Sequence, residues 1–305
     1  MTSPCVLVCL FVTTASIAAS PVTAIAIAPD ESTVAIGSQA GISVLSLPDL
    51  VVVKTLPTGL THVHDLVYSA DSQTLIAAGG VPAESGSVEV WRMPEGRFER
   101  RMTIHEDVVY RVALTSDSQY LATASGDGSC QRLSLASGQL NRTFLGHSTS
   151  VLAIALMPDA ETIASAGADH TIRVWRREDA EPLRTLSNHV AAVTQIAIAP
   201  PHRQLDQLAR MASISDDRTL RIWQPLIGRL VRFTRFASVP TAMTWSPDGE
   251  FLWVSCRDGT LWTADVDNLE DKRKIAEGLG RVFELATLRD GQSVLAAGDF
   301  GVKRV

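Results

Sequence analysis

The sequence predicts an all-β fold made of seven repeated units, each a four-stranded antiparallel sheet. A phrase returns seven times at a spacing of 41 to 47 residues, and its copies begin at Val22, Val63, Val109, Val151, Val193, Pro240 and Val282. Period-two alternation within each unit is broken by turn pairs such as Pro158-Asp159 and Asp248-Gly249. Small residues recur in the first strands, at Ala26, Ala113, Ala155, Ala197 and Ala286, which suits strands crowded around an axis. The pattern predicts a seven-bladed β-propeller whose last blade is incomplete or closed by the N-terminus.

Composition indicates one folded domain over residues 21–305. The 305 residues are 46% hydrophobic and 20% charged, and repeats that bury their faces on one another form one continuous core. The formal net charge is -6, and the longest basic run is Lys272-Arg273-Lys274, which argues against a nucleic-acid partner. No apolar run after residue 20 is long enough to span a membrane. Cys130 and Cys256 belong to separate units, so we expect free, buried thiols.

Residues 1–20 have two interpretations. The apolar stretch from Cys5 to Val12 is followed by small residues, with Ser16-Ile17-Ala18 as a cleavage site, which predicts a signal peptide and a periplasmic or secreted protein. Against this, the first basic residue is Lys54. The alternative is a strand that closes the ring, in a cytoplasmic protein.

The repeat itself favours the signal peptide. Each outermost strand carries a large apolar residue seven positions before the next unit, at Leu56, Met102, Phe144, Leu186, Phe233 and Ile275. The equivalent residue before Val22 is Ala15, which is too small to fill the same space. If the leader is removed, Val302 to Val305 becomes an exposed edge that could accept a partner strand.

Two units carry a complete set of motif residues. The fourth has Gly146-His147, Ser165, Asp169 and Trp175; the fifth has His189, Ser213, Asp217 and Trp223. On these residues, the chain resembles the WD40 (WD-repeat) β-propellers over residues 22–305. The resemblance implies that His, Ser, Asp and the Trp indole form a buried hydrogen-bond network within each blade. Other units depart from the pattern: the third has His105, Thr123 and Asp127 but Leu133 in the Trp position, and the second has Trp91 without the His.

A hydrolase reading of the His, Ser and Asp residues fails on their repetition. His147, Ser165 and Asp169 recur in the next unit as His189, Ser213 and Asp217, and a catalytic site would not be built once per blade. We therefore predict no catalytic residues.

Recognition in similar propellers uses the face with the loops that enter the first strand. The first two positions after each unit start should lie there, and the informative chemistry falls in units two, three and seven. We hypothesise a partner-binding patch of His64, Asp65, Tyr110, Arg111, Phe283 and Glu284, with ordinary rim residues as the alternative. An enlarged loop, Gly79–Gly86, should lie on the same face. The insertion Pro200–Arg210 should project from the opposite face as a solvated loop.

Metal and cofactor chemistry is not expected. His62, His64 and Asp65 with Glu106 and Asp107 could be read as metal ligands, but His-x-His at a strand end is common in exposed positions. The channel positions read Ala24, Asp65, Arg111, Ala153, Gln195, Ala242 and Glu284. Two acids on different blades, accompanied by an arginine, are not typical of a metal cage.

The predicted function is a non-enzymatic scaffold for protein–protein interactions. Its partners would be other proteins, with the chain a monomer or part of a hetero-complex. Two alternatives remain open: a propeller enzyme, such as a lactonase-like hydrolase with a metal in its channel, and a small-molecule or carbohydrate-binding propeller.

Overall fold

The computed structural model describes residues 14–15, 20–159, 161–200 and 209–305. Within these residues, the regular structure is 28 β-strands and one short 3₁₀ helix, Pro225–Ile227. The strands form seven four-stranded antiparallel sheets. No helix in the described part of the chain is long and apolar enough to cross a membrane.

The strands are numbered in chain order. The first, β1, is Thr14–Ala15. Blade 1 contains β2 (Val22–Ile27), β3 (Thr33–Ser38), β4 (Gly41–Ser46) and β5 (Val52–Leu56). Blade 2 contains β6 (Val63–Tyr68), β7 (Thr74–Val81), β8 (Ser85–Arg92) and β9 (Arg97–His105). Blade 3 contains β10 (Val109–Leu114), β11 (Tyr120–Ser125), β12 (Ser129–Ser134) and β13 (Leu140–Leu145). Blade 4 contains β14 (Val151–Leu156), β15 (Thr162–Gly167), β16 (Ile172–Arg176) and β17 (Pro182–Leu186).

The remaining blades follow the same order. Blade 5 contains β18 (Val193–Ile198), β19 (Met211–Ser215), β20 (Thr219–Gln224) and β21 (Arg229–Arg235). Blade 6 contains β22 (Pro240–Trp245), β23 (Phe251–Cys256), β24 (Leu261–Asp265) and β25 (Lys272–Ala276). Blade 7 contains β26 (Val282–Thr287), β27 (Val294–Gly298) and β28 (Gly301–Arg304).

The blades form a closed ring. The first strand of each blade contacts the first strand of the next, from β2 through β6, β10, β14, β18 and β22 to β26. Strand β26 then contacts β2, which returns the chain to blade 1. The first strands therefore line the axis, the fourth strands form the perimeter, and the predicted seven-bladed propeller is confirmed.

Blade 7 receives its outermost strand from the N-terminal segment. Strand β1 pairs antiparallel with β28, so that Thr14 lies opposite Lys303 and Ala15 opposite Val302. Residues 1–13 and 16–19 lie outside the described residues. The signal peptide and its cleavage site therefore stay a prediction.

Adjacent blades share apolar cores, because both faces of each sheet are covered by neighbours. Between blades 3 and 4, Phe144 packs with Ile154 and Trp175 in one buried cluster. The indoles of Trp91, Trp175 and Trp223 are almost fully buried. Burying one such side chain contributes roughly 2–3 kcal/mol, so the ring is stabilised at every junction between blades.

The outer strand of blade 5 differs from its prediction. Leu56, Phe144 and Leu186 are buried as expected, but Phe233 is 57% exposed. Thr234 instead lies opposite Leu220, the place that Leu186 takes opposite Ile172 in blade 4. A one-residue slip moves a side chain to the other face of a strand, so the prediction for Phe233 was wrong.

Candidate functional site

Every innermost strand has a β-bulge at its second residue. The pairing with the second strand of the blade skips that residue in all seven blades, between Val63 and Asp65 in blade 2 for example. The skipped residues are Thr23, His64, Tyr110, Leu152, Thr194, Thr241 and Phe283. A bulge leaves one residue unpaired and re-aims its side chain. Each blade thereby presents one partly exposed side chain at the same end of the channel.

These side chains form the mouth of the channel. A shallow, open depression of about 270 Å³ is lined by Arg111 and by six of the bulged residues, Thr23, His64, Tyr110, Leu152, Thr194 and Phe283. We call this depression the mouth. Three residues of the hypothesised patch, His64, Tyr110 and Phe283, therefore lie together on it.

Aromatic contacts hold the rings of the mouth in place. The His64 and Tyr110 rings meet edge to face, with centroids 5.4 Å apart. His62 makes a similar contact with His64 at 6.2 Å. The guanidinium of Arg281 lies over the Phe283 ring, 5.2 Å from its centroid. The rings are thus ordered before any partner arrives, and the mouth combines apolar surface with cationic and polar groups.

The imidazole of His64 is neutral at physiological pH. Burial lowers its pKa to about 4, and the nearby positive groups of His62 and Arg111 act in the same direction. Neutral His64 can accept as well as donate a hydrogen bond.

Beneath the mouth, a charged network closes the channel. Arg111 donates through Nη1 to Asp65 Oδ1 at 3.2 Å and through Nη2 to Glu284 Oε2. Asp65 Oδ2 also accepts the backbone N–H of Val112 at 2.8 Å. Residues of blades 2, 3 and 7 are thereby joined across the axis.

Gln195 extends this network to two more blades. Its Nε2 donates to Glu284 Oε1 at 2.9 Å, and its Oε1 accepts the backbone N–H of Met243 at 2.7 Å. The hypothesised patch omitted Gln195, although it occupies the same unit position as Asp65 and Glu284. This shared position in the repeat is the sequence feature that could have indicated that Gln195 belongs to the network.

The patch predicted from the sequence therefore divides into two layers. His64, Tyr110 and Phe283 lie at the mouth, whereas Asp65 and Glu284 are buried below it. Burial raises the pKa of both carboxyls, and the positive charge of Arg111 opposes the shift. Arg111 separates the layers: it touches the mouth and is engaged by both acids.

Blades 4 and 5 contain complete four-residue networks. In blade 4, His147 Nδ1 lies 3.0 Å from Asp169, and Ser165 Oγ lies 2.8 Å from both His147 Nε2 and Trp175 Nε1. In blade 5, His189 meets Asp217, and Ser213 meets both His189 and Trp223, each at 2.8 Å. Because Trp only donates and a carboxylate only accepts, the Ser hydroxyl donates to His Nε2 and the His Nδ1–H donates to Asp.

Blade 3 contains a shorter version of the network. His105 lies 2.8 Å from Asp127 and 2.8 Å from Thr123 Oγ1, and Leu133 fills the Trp position. Ser165, Ser213 and Thr123 have no exposed surface, so a substrate cannot reach their hydroxyls. The positions of these groups tie each blade to the loop before it.

Blade 2 has a buried hydrogen-bonded cluster around Glu89 that the sequence motifs do not predict. Glu89 has no exposed surface and accepts from Thr58 Oγ1 at 2.6 Å, from Gly59 N at 3.0 Å and from Arg101 Nη2 at 2.6 Å. Like the His of other blades, it ties the entering loop to the blade. Only its position among apolar residues of a strand could have indicated this role.

The structure describes the segment Gly79–Gly86 but only part of the insertion Pro200–Arg210. The segment Gly79–Gly86, expected as an enlarged loop, is a lengthened hairpin in which β7 and β8 stay paired as far as Val81 and Ser85. The backbone N–H of Ala83 in its turn donates to Asp107 Oδ1 at 2.7 Å, which attaches the hairpin beside the entry to blade 3. The insertion Pro200–Arg210 lies mainly outside the described residues, which omit 201–208. Among the residues the structure describes, no group of three or more His, Cys, Asp or Glu could hold a metal.

Comparison with known families agrees with this geometry. The WD domain, G-beta repeat model matches residues 96–131, 138–176 and 180–224. Each match covers the outer strand of one blade and the first three strands of the next, and these are the three units with the buried His. These three matches and the seven four-stranded blades support a WD40-family protein. No curated protein matches the chain. The four unmatched units have no His four residues before their first strand.

Proposed function

We propose that this WD40 propeller is a non-enzymatic scaffold that binds other proteins at the mouth. The observation that supports the proposal is the ring of bulges, which turns one side chain per blade toward the same end of the channel. Three of these side chains, His64, Tyr110 and Phe283, are rings on adjacent or facing blades. Tyr and other aromatic residues are frequent anchors of protein interfaces.

The shape of the mouth favours a protein over a small ligand. Small-molecule sites are concave and enclose most of their ligand, whereas this depression is shallow and open. The buried network below it leaves Arg111 as the floor, so that a bound group rests on the mouth and does not enter the channel. A partner loop or strand end fits this geometry.

Rigidity supports the same function. The mouth residues lie on the innermost strands, which the Arg111 network and Gln195 link across the axis. A preformed surface loses little conformational entropy on binding, so affinity is not spent on ordering loops.

The alternative function, a propeller enzyme, would require metal-binding groups in the channel. A lactonase-like hydrolase with a channel metal needs carboxylates that are free to coordinate it. Here Asp65 and Glu284 both accept hydrogen bonds from Arg111. We infer that these two carboxyl groups stabilise the ring of blades. This role favours the scaffold function over the enzymatic one.

We also propose that the protein is exported, on the leader pattern of residues 1–20. Cleavage after Ala18 would remove β1, so that β28 would become the outermost strand of blade 7 in the mature protein. N-terminal sequencing of protein made in a secreting host tests this. A mature chain that begins shortly after Ala18 supports export, and an intact Met1 on the mature protein contradicts it.

Affinity capture from the native host, followed by mass spectrometry, tests the scaffold proposal. The mouth variant His64→Ala/Tyr110→Ala/Phe283→Ala is compared with a matched perimeter variant, Phe98→Ala/Leu140→Ala/Leu145→Ala, which also removes exposed apolar surface. We expect the mouth variant to lose specific partners that the perimeter variant retains. Partners that survive all three mouth substitutions would place recognition elsewhere and contradict the proposal.

A further inference from the structure

The outer strands of blades 1 to 6 are strongly basic. They contain twelve of the 27 Lys and Arg residues of the chain and only one of its 33 Asp and Glu residues, Glu99. The chain as a whole has a net charge of -6. Positive charge is therefore concentrated on the perimeter of the disc, and the rest of the molecule is acidic.

Part of this charge has a structural task. Lys54 Nζ donates to the Pro94 carbonyl at 2.8 Å, Arg100 Nη1 to the Ala136 carbonyl at 2.8 Å, and Arg142 Nε to the Glu178 carbonyl at 2.6 Å. Each bond reaches the turn before the outer strand of the next blade. These three residues therefore connect neighbouring blades, and this structural role accounts for their positive charge.

Strand β21 of blade 5 is different. Its three arginines, Arg229, Arg232 and Arg235, are exposed and make no ion pair with any described residue. Between them, Phe233 is 57% exposed, with the Arg221 guanidinium 5.6 Å from its ring centroid. Phe233 and Arg235 therefore lie on one face of this strand and Arg232 on the other, and both faces offer unneutralised charge at the perimeter.

Part of the backbone edge of β21 is also available, although the Arg235 carbonyl already accepts a hydrogen bond from Lys272 Nζ at 3.0 Å. The strand pairs with β20 on one side and is the outermost strand of its sheet among the described residues. An edge strand can accept another extended chain, and its side chains decide which one. Positive charges keep two copies of such an edge apart, and the same charges attract a strand of opposite sign.

Acidic turns limit the length of the positive strip. The turn before the outer strand of blade 4 carries Asp179 and Glu181, which both pair with Arg176. The turn before that of blade 6 carries Asp267, which pairs with Arg210, and Asp271, which pairs with Arg273. A flat anionic membrane or a long nucleic-acid backbone on blade 5 would also approach these acids. A short segment that follows one strand avoids them.

We propose that β21 binds an extended acidic segment of a partner protein, with carboxylates on Arg229, Arg232 and Arg235 and an apolar side chain on Phe233. This site goes beyond the mouth: it lies on the perimeter and uses none of the mouth residues. The scaffold would thereby hold two partners, or two parts of one, at separate surfaces.

Fluorescence anisotropy with a labelled Glu-rich peptide of about ten residues that carries one central Val, and so presents Glu on both of its faces, tests the site at about 150 mM salt. The test variant is Arg232→Glu/Arg235→Glu. Its matched control is Arg257→Glu/Arg289→Glu, which changes the net charge equally at exposed arginines outside the outer strands. We expect saturable binding that weakens about tenfold or more in the test variant and changes less than about twofold in the control.

Several results would overturn the proposal. These are the absence of saturable peptide binding, equal losses in both variants, and binding of the matching Lys and Val peptide. Vesicles with about 30% phosphatidylserine and an oligothymidine strand are parallel probes; if either binds through β21 while the peptide does not, the partner class is wrong. If the charge reversal disturbs folding, Arg232→Gln/Arg235→Gln replaces it. The mouth variant should bind the peptide normally, so failure here and failure of the mouth are distinguishable.

Discussion

Arg111 of blade 3 donates a hydrogen bond to Glu284 of blade 7, across the axis of the ring. The same guanidinium donates to Asp65 of blade 2, so one positive charge is shared between two buried carboxyl groups. Neither carboxylate is well hydrated at this depth. The arginine therefore fixes three innermost strands at the level where the channel ends and the mouth begins.

Replacing this arginine should destabilise the ring. In Arg111→Met the carboxylates of Asp65 and Glu284 stay buried without a counter-charge, which costs about 3–5 kcal/mol of unfolding free energy. Denaturant unfolding measures the loss. The control Arg281→Met, at an exposed guanidinium, should cost less than about 1 kcal/mol.

The double neutralisation Asp65→Asn/Glu284→Gln in the Arg111→Met background should recover part of that stability, because it removes the buried charges. If Arg111→Met unfolds within about 1 kcal/mol of the parent, the network does not hold the strands.

The complete and shortened blade networks should differ in strength. Ser165→Ala removes the oxygen that accepts from Trp175 and donates to His147, so two buried groups lose their partner and about 2–3 kcal/mol is lost. Thr123→Val in blade 3 leaves only His105 unpaired and should cost about 1–2 kcal/mol. Equal losses in the two variants, by thermal or denaturant unfolding, would show that the Trp bond contributes nothing.

Glu89 should be as important to blade 2 as the motif His is to other blades. Glu89→Ala leaves Arg101 without its carboxylate and Thr58 and Gly59 without their acceptor, so we expect a loss of about 3 kcal/mol. Glu99→Ala breaks only partly exposed pairs with Arg92 and Arg97 and should cost about 1 kcal/mol or less. A ranking in the opposite order, from the same unfolding measurement, would contradict the role of Glu89.

Stability should fall as the pH drops below about 6.5, and histidines cause the first part of the loss. The pKa values of His64, His147 and His189 are all lowered, mainly by burial. Below the ordinary histidine pKa, the unfolded chain takes up protons that the folded chain refuses, so unfolding becomes more favourable. The pKa values of Asp65 and Glu284 are raised in the folded protein. As the pH falls toward the ordinary carboxyl pKa, these two groups therefore increase the stability of the folded state.

His64→Gln isolates one of these contributions. The variant should lose roughly 2 kcal/mol less than the parent between pH 7 and pH 5, measured by denaturant unfolding at each pH. Parallel curves for the two proteins would mean that His64 titrates normally in the folded state.

The sequence predicted the ring well because the information is repeated. Seven copies of one phrase set the strand order, and the set His147, Ser165 and Asp169 recurs in blade 5 as His189, Ser213 and Asp217, with a longer interval between the His and the Ser. What it could not predict depends on relations between units. The contact of Arg111 with Glu284 joins residues 173 positions apart, and no local pattern encodes it.

The register of strand pairing was the other feature that the sequence could not predict. The bulge that turns His64, Tyr110 and Phe283 outward places neighbouring residues in two layers, although the sequence presents them as one patch. Phe233 shows the same effect at the perimeter, where one residue of slip exchanged it with Thr234 in the core. Alternation predicts that two faces exist, and a bulge decides which side chain each face receives.

Hydrogen exchange of the propeller with and without a captured partner tests the central claim most directly. The loops that enter blades 2, 3 and 7 are 57–62, 106–108 and 277–281, and all lie at the mouth. We predict that the partner slows exchange in these loops and leaves the turns at the opposite end of the blades unchanged. Protection confined to those opposite turns, with the three loops exchanging as in the free protein, would contradict recognition at the mouth.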